Sequence, residues 1–276
     1  MQNYLTIDVE DYFQVAAFAD IVSSRDWDAM EQRAHNGMAV ILQLLKKHGV
    51  YATFFIVGWL AEKHPDIVSA IVADGHEIGC HSYWHRHIFD LTPEEFREDT
   101  FKAKAVLEKI SNKKITAYRA PSYSITRKSL WALDILKDAG FTTDSSIFPI
   151  AHDIYGIPDA PRFPYEMPDL GLVEFPVSTA IFFGRRIPVS GGGYFRLFPY
   201  WFTKMALKKI NDQEKQPFVF YIHPWEIDPD QPRFKHARLF SRFRHYNNLQ
   251  KTRGRFERLL NDFDFVPLPA AISGQR

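Results

Sequence analysis

Two histidines four residues apart, His81 and His85, are the first candidates for chemistry in this sequence. In a helical turn, side chains at this spacing lie on one face with Cβ atoms about 6 Å apart, so both imidazoles can reach one ion. A catalytic zinc site usually has three protein ligands and one open position, and a carboxylate can be the third ligand. The acidic segment after the first predicted strand offers three: Asp8, Glu10 and Asp11. This combination predicts a divalent-metal site used for hydrolysis.

Strands that alternate with helices must position these residues. Apolar periodicity, helix caps and terminal glycines predict helices at residues 31–48, 65–74, 92–110, 126–139, 198–210 and 249–260. Short runs rich in β-branched and aromatic residues predict strands at residues 4–9, 51–57, 76–80, 115–118, 141–144, 172–177, 218–222 and 263–266. Around the strand at 172–177, the proline-rich residues 149–190 predict long loops that cover one face. The alternation indicates a parallel sheet with helices on both faces.

Polar residues at the strand ends favour a barrel over an open sheet. Five different strands each have one such residue at or just past the C-terminal end: Asp8, His81, Arg119, Asp144 and His223. In a (β/α) barrel, many strand ends supply one site, whereas an open sheet gathers its ligands at one switch point. We therefore predict an α/β fold of the distorted or incomplete (β/α)7 barrel type in a single domain.

Composition excludes several function classes. The chain has 276 residues and a net charge of +1, which does not indicate a nucleic-acid binder. Its one cysteine, Cys80, permits no internal disulfide and is expected to be a buried small residue. No apolar run is long enough to span a membrane, and the N-terminus shows no signal-peptide pattern. We therefore expect a cytoplasmic protein, with peripheral attachment to the inner membrane as an open alternative.

Five sequence segments in a fixed order point to a known family. They are residues 6–11 (TIDVED), 81–85 (HSYWH), 119–123 (RAPSY), 144–146 (DSS) and 222–226 (IHPWE). Together they resemble the motifs of the polysaccharide deacetylases of the NodB-homology type, the metal-dependent carbohydrate esterases of family 4. The sequence most resembles the branch associated with bacterial exopolysaccharide gene clusters. The resemblance implies a hydrolase that removes N-acetyl groups from N-acetylhexosamine units of an acetylated glycan or its precursor.

The resemblance also implies a metal site and a base. Asp8 corresponds to the general base, and His81 and His85 correspond to two metal ligands. Zinc is the expected ion, with Co²⁺, Ni²⁺ or Fe²⁺ as alternatives. Val9 stands where the common family pattern has a second aspartate, so Glu10 becomes the third ligand and Asp11 stays an alternative.

Further roles follow from the remaining motifs. Arg119 is expected to pair with Asp8, and His223 is expected to be the general acid that protonates the leaving amine. Asp144 is expected to hold the far nitrogen of His223. The oxyanion is expected to accept a hydrogen bond from a backbone N–H just after Pro121, and Ser122 leaves open which amide donates it. Tyr123 is expected to contact the substrate, and Trp225 is expected either to stack on a sugar ring or to pack under its loop.

The sequence predicts a single domain with a basic C-terminal segment, and two rival functions remain open. We predict one domain over residues 1–276, with residues 233–276 as a C-terminal extension packed on it. Residues 233–258 contain nine Lys or Arg and one acid, which fits an anionic glycan, a membrane surface or a solvated helix face. One rival function is hydrolysis of a cyclic amide or imide by the same fold. The other is a non-catalytic glycan-binding module.

Overall fold

One large sheet forms the centre of the molecule. A computed structural model of the chain describes residues 1–152 and 155–269. Its strands are β1 (Gln2–Val9), β2 (Thr53–Ile56), β3 (Glu77–Cys80), β4 (Ala117–Tyr118), β5 (Thr143–Asp144), β6 (Tyr165–Met167), β7 (Leu172–Glu174), β8 (Thr179–Phe182), β9 (Arg185–Pro188), β10 (Val219–Ile222) and β11 (Asp264–Val266).

The sheet curls into an incomplete barrel. Its strands follow the order β10-β1-β2-β3-β4-β5-β7-β6, and β11 pairs with the first residues of β1. Every pairing in this sheet is parallel except β6 with β7, and the separate pair β8–β9 is an antiparallel hairpin. Because the order runs from β10 to β6 without a pairing between those two strands in the described chain, the barrel does not close. This topology agrees with the predicted fold class.

Helices cover the sheet between the strands. They are α1 (Ala34–His48), α2 (Gly58–Lys63), α3 (Pro65–Ala73), α4 (Pro93–Ser111), α5 (Ala132–Asp138), α6 (Gly192–Leu197), α7 (Tyr200–Asp212), α8 (Leu239–Tyr246) and α9 (Leu249–Asp262). The predicted boundaries hold best where a cap defines them. Thr92 and Glu95 form the reciprocal capping box at the start of α4, and Gly49 ends α1 in the left-handed conformation.

The predicted helices and strands differ from the structure in segments where apolar residues show no regular spacing. The β8–β9 hairpin and β6 lie in the segment predicted mainly as loops, and α8 lies in a stretch without a predicted element. The α5 helix begins at Ala132, six residues later than predicted, after turns that Ser129 stabilises by accepting from the Thr126 N–H. Side-chain hydrogen bonds of this kind compete with the first helical turn.

The C-terminal part of the chain packs on the rest of the molecule. β11 pairs with β1, and α9 packs against α1, α6 and α7. The predicted boundary of a C-terminal extension at residue 233 stays a prediction, and residues 270–276 of it lie outside the described residues. Among the described helices, none is long and apolar enough to cross a membrane.

Candidate active site

The candidate site lies at the edge of the sheet where the strands end. Asp8 belongs to β1, and Glu10 follows it. The parallel register places the ends of β1, β2 and β3 side by side, and β10 flanks β1 on the other side. The residues that follow β3, β4 and β10 therefore face the same edge: His81, Arg119 and His223.

Three side chains at this edge have the chemistry and spacing of metal ligands. Glu10, His81 and His85 each place one ligand atom within 4.8 Å of the others, and we call them the strand-edge cluster. Glu10 Oε2 lies 2.6 Å from His85 Nε2, and the centroids of the two imidazole rings are 5.0 Å apart. Burial alone would raise the pKa of Glu10, but His85, His223 and His81 hold it well below its usual range.

A strained turn brings the two histidines together. The sequence suggested a helical turn, but the backbone is left-handed at Ser82 (φ 58°) and His85 (φ 52°), so that expectation is wrong. The Ser82 hydroxyl accepts from the His85 N–H at 3.0 Å. The buried Asp99 carboxylate of α4 accepts from the Tyr83 N–H at 2.6 Å and the Trp84 N–H at 3.1 Å. Asp99 was missed in the sequence, where it is one of many acids on a helix.

The hydrogen bond of His81 fixes which of its nitrogens faces the cluster. Nδ1 lies 2.7 Å from the backbone oxygen of Arg119. A carbonyl oxygen can only accept, so Nδ1 carries the proton and Nε2 keeps its lone pair. Burial lowers the pKa of His81 to about 4. The imidazole is therefore neutral at pH 7, as a metal ligand must be.

The predicted pair of Asp8 and Arg119 is present. Arg119 is fully buried and donates from Nη1 to Asp8 Oδ1 at 2.6 Å and to the Thr6 hydroxyl at 2.7 Å. Its other nitrogens donate to Ser145, through Nε to the backbone oxygen and through Nη2 to the hydroxyl. The guanidinium is thus held on two sides, and this fixes the orientation of the Asp8 carboxylate.

The orienting partner of His223 is Glu226. Nδ1 of His223 lies 2.8 Å from Glu226 Oε2, and Glu226 Oε1 accepts from Arg196 Nε at 2.6 Å. Nε2 of His223 lies 3.5 Å from Glu10 and 3.9 Å from Asp8. Burial opposes a charge on His223, but Glu226, Glu10 and Asp8 together raise its pKa to about 9.

Asp144 does not hold His223, and that prediction is wrong. Its carboxylate accepts from the Ser146 hydroxyl and lies beside the buried Glu174. Burial raises the pKa of Asp144 to about 6 and raises the pKa of Glu174 well above its usual range. Asp144 therefore has a structural place at the end of β5, next to Ser145, which holds Arg119.

A close backbone approach places the turn that carries Glu226. Residues Pro224–Ile227 form a single 3-10 turn after β10, and α1 packs against it. A Cβ atom at Gly37 of α1 would lie 2.0 Å from the backbone oxygen of Pro224, so only glycine permits this contact. The turn brings the Glu226 carboxylate back to His223, three residues earlier in the chain. There it also accepts from the His223 N–H at 3.1 Å.

Trp225 supports the cluster and is no open platform for a sugar. Its indole N–H donates to Glu10 Oε1 at 3.0 Å, and its side chain is buried. The ring stacks on His223 and His245, with centroid distances of 5.1 Å and 4.2 Å. The sugar-stacking prediction for Trp225 is therefore corrected, because the residue orients Glu10.

The segment after Pro121 offers one free amide. The N–H groups of Tyr123 and Ser124 donate within the turn, to the backbone oxygens of Ala120 and Pro121. The Ser122 N–H makes no hydrogen bond to any part of the chain that the structure describes. Tyr123 is buried, and its hydroxyl has no hydrogen-bond partner within residues 1–152 and 155–269. Its contact with a substrate stays a prediction.

Asp11 serves the start of a helix. One carboxylate oxygen accepts from the Tyr12 N–H at 2.8 Å. The other accepts from the N–H groups of Arg33 at 2.7 Å and Ala34 at 2.9 Å, where α1 begins. Three backbone donors thus occupy this carboxylate, which leaves Glu10 as the acid of the strand-edge cluster.

Comparison with known families finds two matches along the chain, and Asp8 and Glu10 precede both of them. Residues 26–143 match the polysaccharide deacetylase family, and residues 145–273 match a domain of unknown function. His81, His85 and Arg119 lie in the first match, whereas His223 and Glu226 lie in the second. Because β10 of the second match pairs with β1, the domain of unknown function supplies both a strand of the sheet and one wall of the site.

Curated relatives match a limited part of the chain. A peptidoglycan-N-acetylglucosamine deacetylase of Bacillus cereus is 37% identical over 95 residues, which are 34% of this chain and 34% of that protein. A chitooligosaccharide deacetylase of a Bradyrhizobium strain is 26% identical over 96 residues, 35% of this chain and 42% of that protein. The chain thus spans less than half the length of these relatives.

A solved structure resembles nearly the whole chain. It comes from Mycobacterium smegmatis and is described as that of a polysaccharide deacetylase. The TM-score is 0.61 at 20% identity, and the match covers 95% of this chain and 85% of that one. At this identity the likeness shows the fold, and it confirms the predicted incomplete barrel.

Proposed function

We propose that the chain is a metal-dependent N-deacetylase, because residues 26–143 match the polysaccharide deacetylase family. Its substrates would be N-acetylhexosamine units of a bacterial polysaccharide or its precursor. The named relatives support this substrate class, since they act on peptidoglycan and chitooligosaccharides. A role in exopolysaccharide synthesis stays a prediction from the motifs.

One observation carries the proposal. The strand-edge cluster lies beside a carboxylate that a buried arginine holds and a histidine that a buried glutamate holds. Hydrolysis of an amide needs a base for the attacking water, stabilisation of the oxyanion and an acid for the leaving nitrogen. Asp8 and His223 both lie beside the cluster, with His223 Nε2 3.5 Å from Glu10 and 3.9 Å from Asp8, and they take the roles of base and acid.

The donor set fits a divalent ion such as zinc. Two imidazoles and one carboxylate are a common catalytic zinc set, and the same ligands accept Co²⁺, Ni²⁺ or Fe²⁺. Glu10 Oε2 and His85 Nδ1 are buried and make no hydrogen bond within the described chain, although Oε2 lies close to His85 Nε2. When bound, the ion would supply Lewis-acid polarisation of the acyl oxygen and activation of water.

Asp8 takes the role of the base. As the water oxygen attacks the acetyl carbon, the Asp8 carboxylate accepts one water proton. Arg119 keeps that carboxylate oriented through the 2.6 Å contact to Oδ1, which leaves Oδ2 on the side of His223. The Ser122 amide is the candidate donor to the developing oxyanion, because its neighbours Tyr123 and Ser124 already use their N–H groups within the turn.

His223 takes the role of the acid. Its pKa of about 9 keeps it protonated at pH 7, with the Nδ1 proton directed to Glu226 and the Nε2 proton directed to the site. Transfer of the Nε2 proton to the nitrogen lets the carbon–nitrogen bond break. The products are acetate and the free amine of the sugar.

The test combines a metal assay with a product assay. Elemental analysis of the purified chain should find about one divalent ion per chain. Acetate should be released from acetylated chitooligosaccharides or peptidoglycan fragments, lost after chelation and restored by zinc. Ring opening of cyclic imides without acetate release would favour the rival hydrolase. Tight glycan binding without product over long incubation would favour the binding module.

A further inference from the structure

The α8 helix presents an unpartnered apolar face to the outside of the molecule. Leu239, Phe240 and Phe243 are 79%, 70% and 56% exposed. Leu239 and Phe243 are four residues apart, and Phe240 and Phe243 are three apart, so both pairs are neighbours on the helix surface and the three side chains form one patch. We propose that this patch, the α8 patch, docks the protein on an anionic membrane surface.

The charge around the patch selects the kind of surface. Residues 233–246, which lead into α8 and form it, hold five Lys or Arg and no acid. Arg238, Arg242 and Arg244 belong to α8 or its N-cap and border the apolar face directly. Apolar side chains inserted at the headgroup level, together with a surrounding ring of cations, are the two features that bind peripheral helices to anionic lipids.

One acid that reaches the N-cap of α8 is already paired. Asp20 lies 3.0 Å from Arg238 and belongs to the loop after the 3-10 turn Ala16–Phe18, against which α8 packs. Ile21, next to it in the chain, is also exposed and extends the apolar surface. The patch therefore keeps its positive character, because Arg242 and Arg244 have no carboxylate partner within the described chain.

The size of the patch favours a membrane over a second copy of the chain. Leu239, Phe240 and Phe243 expose on the order of 400 Å² together. A stable protein interface needs about 800 Å² from each partner. Partial insertion of three side chains requires no such area, since the lipid surface adapts to the helix.

The inner side of α8 connects the patch with the candidate site. His245 is buried, and its ring stacks on Trp225 at 4.2 Å. Trp225 in turn donates to Glu10 of the strand-edge cluster. Docking through the outer side of α8 would hold the strand-edge cluster at a fixed distance from the lipid surface, where it could reach glycans close to the membrane.

Vesicle sedimentation with the purified full chain tests the docking. One set of vesicles is pure phosphatidylcholine, and the other is equimolar phosphatidylcholine and phosphatidylglycerol. We expect binding to the mixed vesicles only, with a partition coefficient that falls at high salt. The double variant F240S/F243S should lower partition at least about tenfold, and F240L/F243L should keep it. R238Q/R242Q should weaken binding to the mixed vesicles in the same assay.

Phe101 provides the matched control. It is an exposed aromatic on α4, which packs against α2, α3 and α5, so F101S should bind like the natural chain. Metal content and acetate release from soluble substrates should be unchanged in F240S/F243S, which separates this proposal from the proposed function. Equal binding by F240S/F243S and the natural chain would overturn it, as would failure to bind mixed vesicles. A dimer in sedimentation equilibrium that F240S/F243S dissociates would overturn it too.

Discussion

Two clusters of histidines and acids lie within the described chain, and only one of them is built into the fold. The strand-edge cluster and a second group each place three ligand atoms within 4.8 Å of one another. We call the second group the helix-start cluster, because it lies at the beginnings of α1 and α3: His35, His64 and Asp66. By spacing alone, the two clusters are equivalent candidates for a metal ion.

They differ in what holds the ligands. In the strand-edge cluster, His81 is fixed by the Arg119 carbonyl and Glu10 by the Trp225 indole. In the helix-start cluster, His35 Nε2 contacts Asp66 Oδ2 at 2.8 Å, and these two side chains are 44% and 68% exposed. Exposed ligands must lose side-chain entropy and water before they bind an ion. The lesson is that supporting contacts identify a metal site better than ligand spacing does.

Removal of the histidines should separate the clusters most strongly. H81A/H85A should lose the bound metal and reduce acetate release by about 10³-fold or more. The matched variant H35A/H64A should keep both the bound metal and the acetate release, because His35 and His64 are not part of the strand-edge cluster. Elemental analysis and the acetate assay on both variants measure the difference. Full metal occupancy in H81A/H85A would contradict the assignment.

Loss of the base should leave the metal in place. Asp8→Asn keeps the size of the side chain but cannot accept the water proton, so kcat should fall by about 10²- to 10⁴-fold. Metal content should stay at the natural level, since Asp8 is not part of the strand-edge cluster. Near-normal turnover of the variant at full metal content would exclude Asp8 as the base.

The loss of kcat on removing the Glu226 carboxylate should be larger for substrates whose leaving group must be protonated. Glu226→Gln should lower kcat on acetylated sugars by about 10- to 100-fold, because His223 loses its charged partner. With nitrophenyl acetate the leaving group departs without protonation, and the defect should be much smaller. An equal defect on both substrates would show that Glu226 acts on stability or folding alone.

The smallest effect on activity is expected at Asp11. Asp11→Ala leaves the N–H groups of Tyr12, Arg33 and Ala34 without their acceptor, which should cost about 2 kcal/mol of unfolding free energy. Metal content should be unchanged. Urea unfolding beside elemental analysis measures both quantities, and loss of metal without loss of stability would return Asp11 to the ligand set.

Much of the fold and part of the site could be predicted from the sequence. Strand and helix alternation predicted the incomplete barrel, and the strand ends predicted that Asp8, His81, Arg119 and His223 meet at one edge of the sheet, where the structure brings them together. Glu226 escaped prediction because its reach to His223 depends on a tight turn that only the packing of Gly37 defines. For the same reason Asp144 was assigned a partner that it does not contact.

Other features depend on contacts between distant segments. Asp99 looks like any helical acid until α4 packs beside the loop of His85, and α8 is too short for a clear periodic pattern. The β8–β9 hairpin turns at Phe183 and Gly184, which both have positive φ, in a region where prolines predict loops.

An anomalous difference map from crystals of the zinc-loaded chain, collected at the zinc absorption edge, tests the central claim most directly. The account predicts one strong peak within bonding distance of Glu10, His81 and His85, with no peak at the helix-start cluster. A peak at His35, His64 and Asp66 alone, or one ligated by Asp11 in place of Glu10, would contradict it.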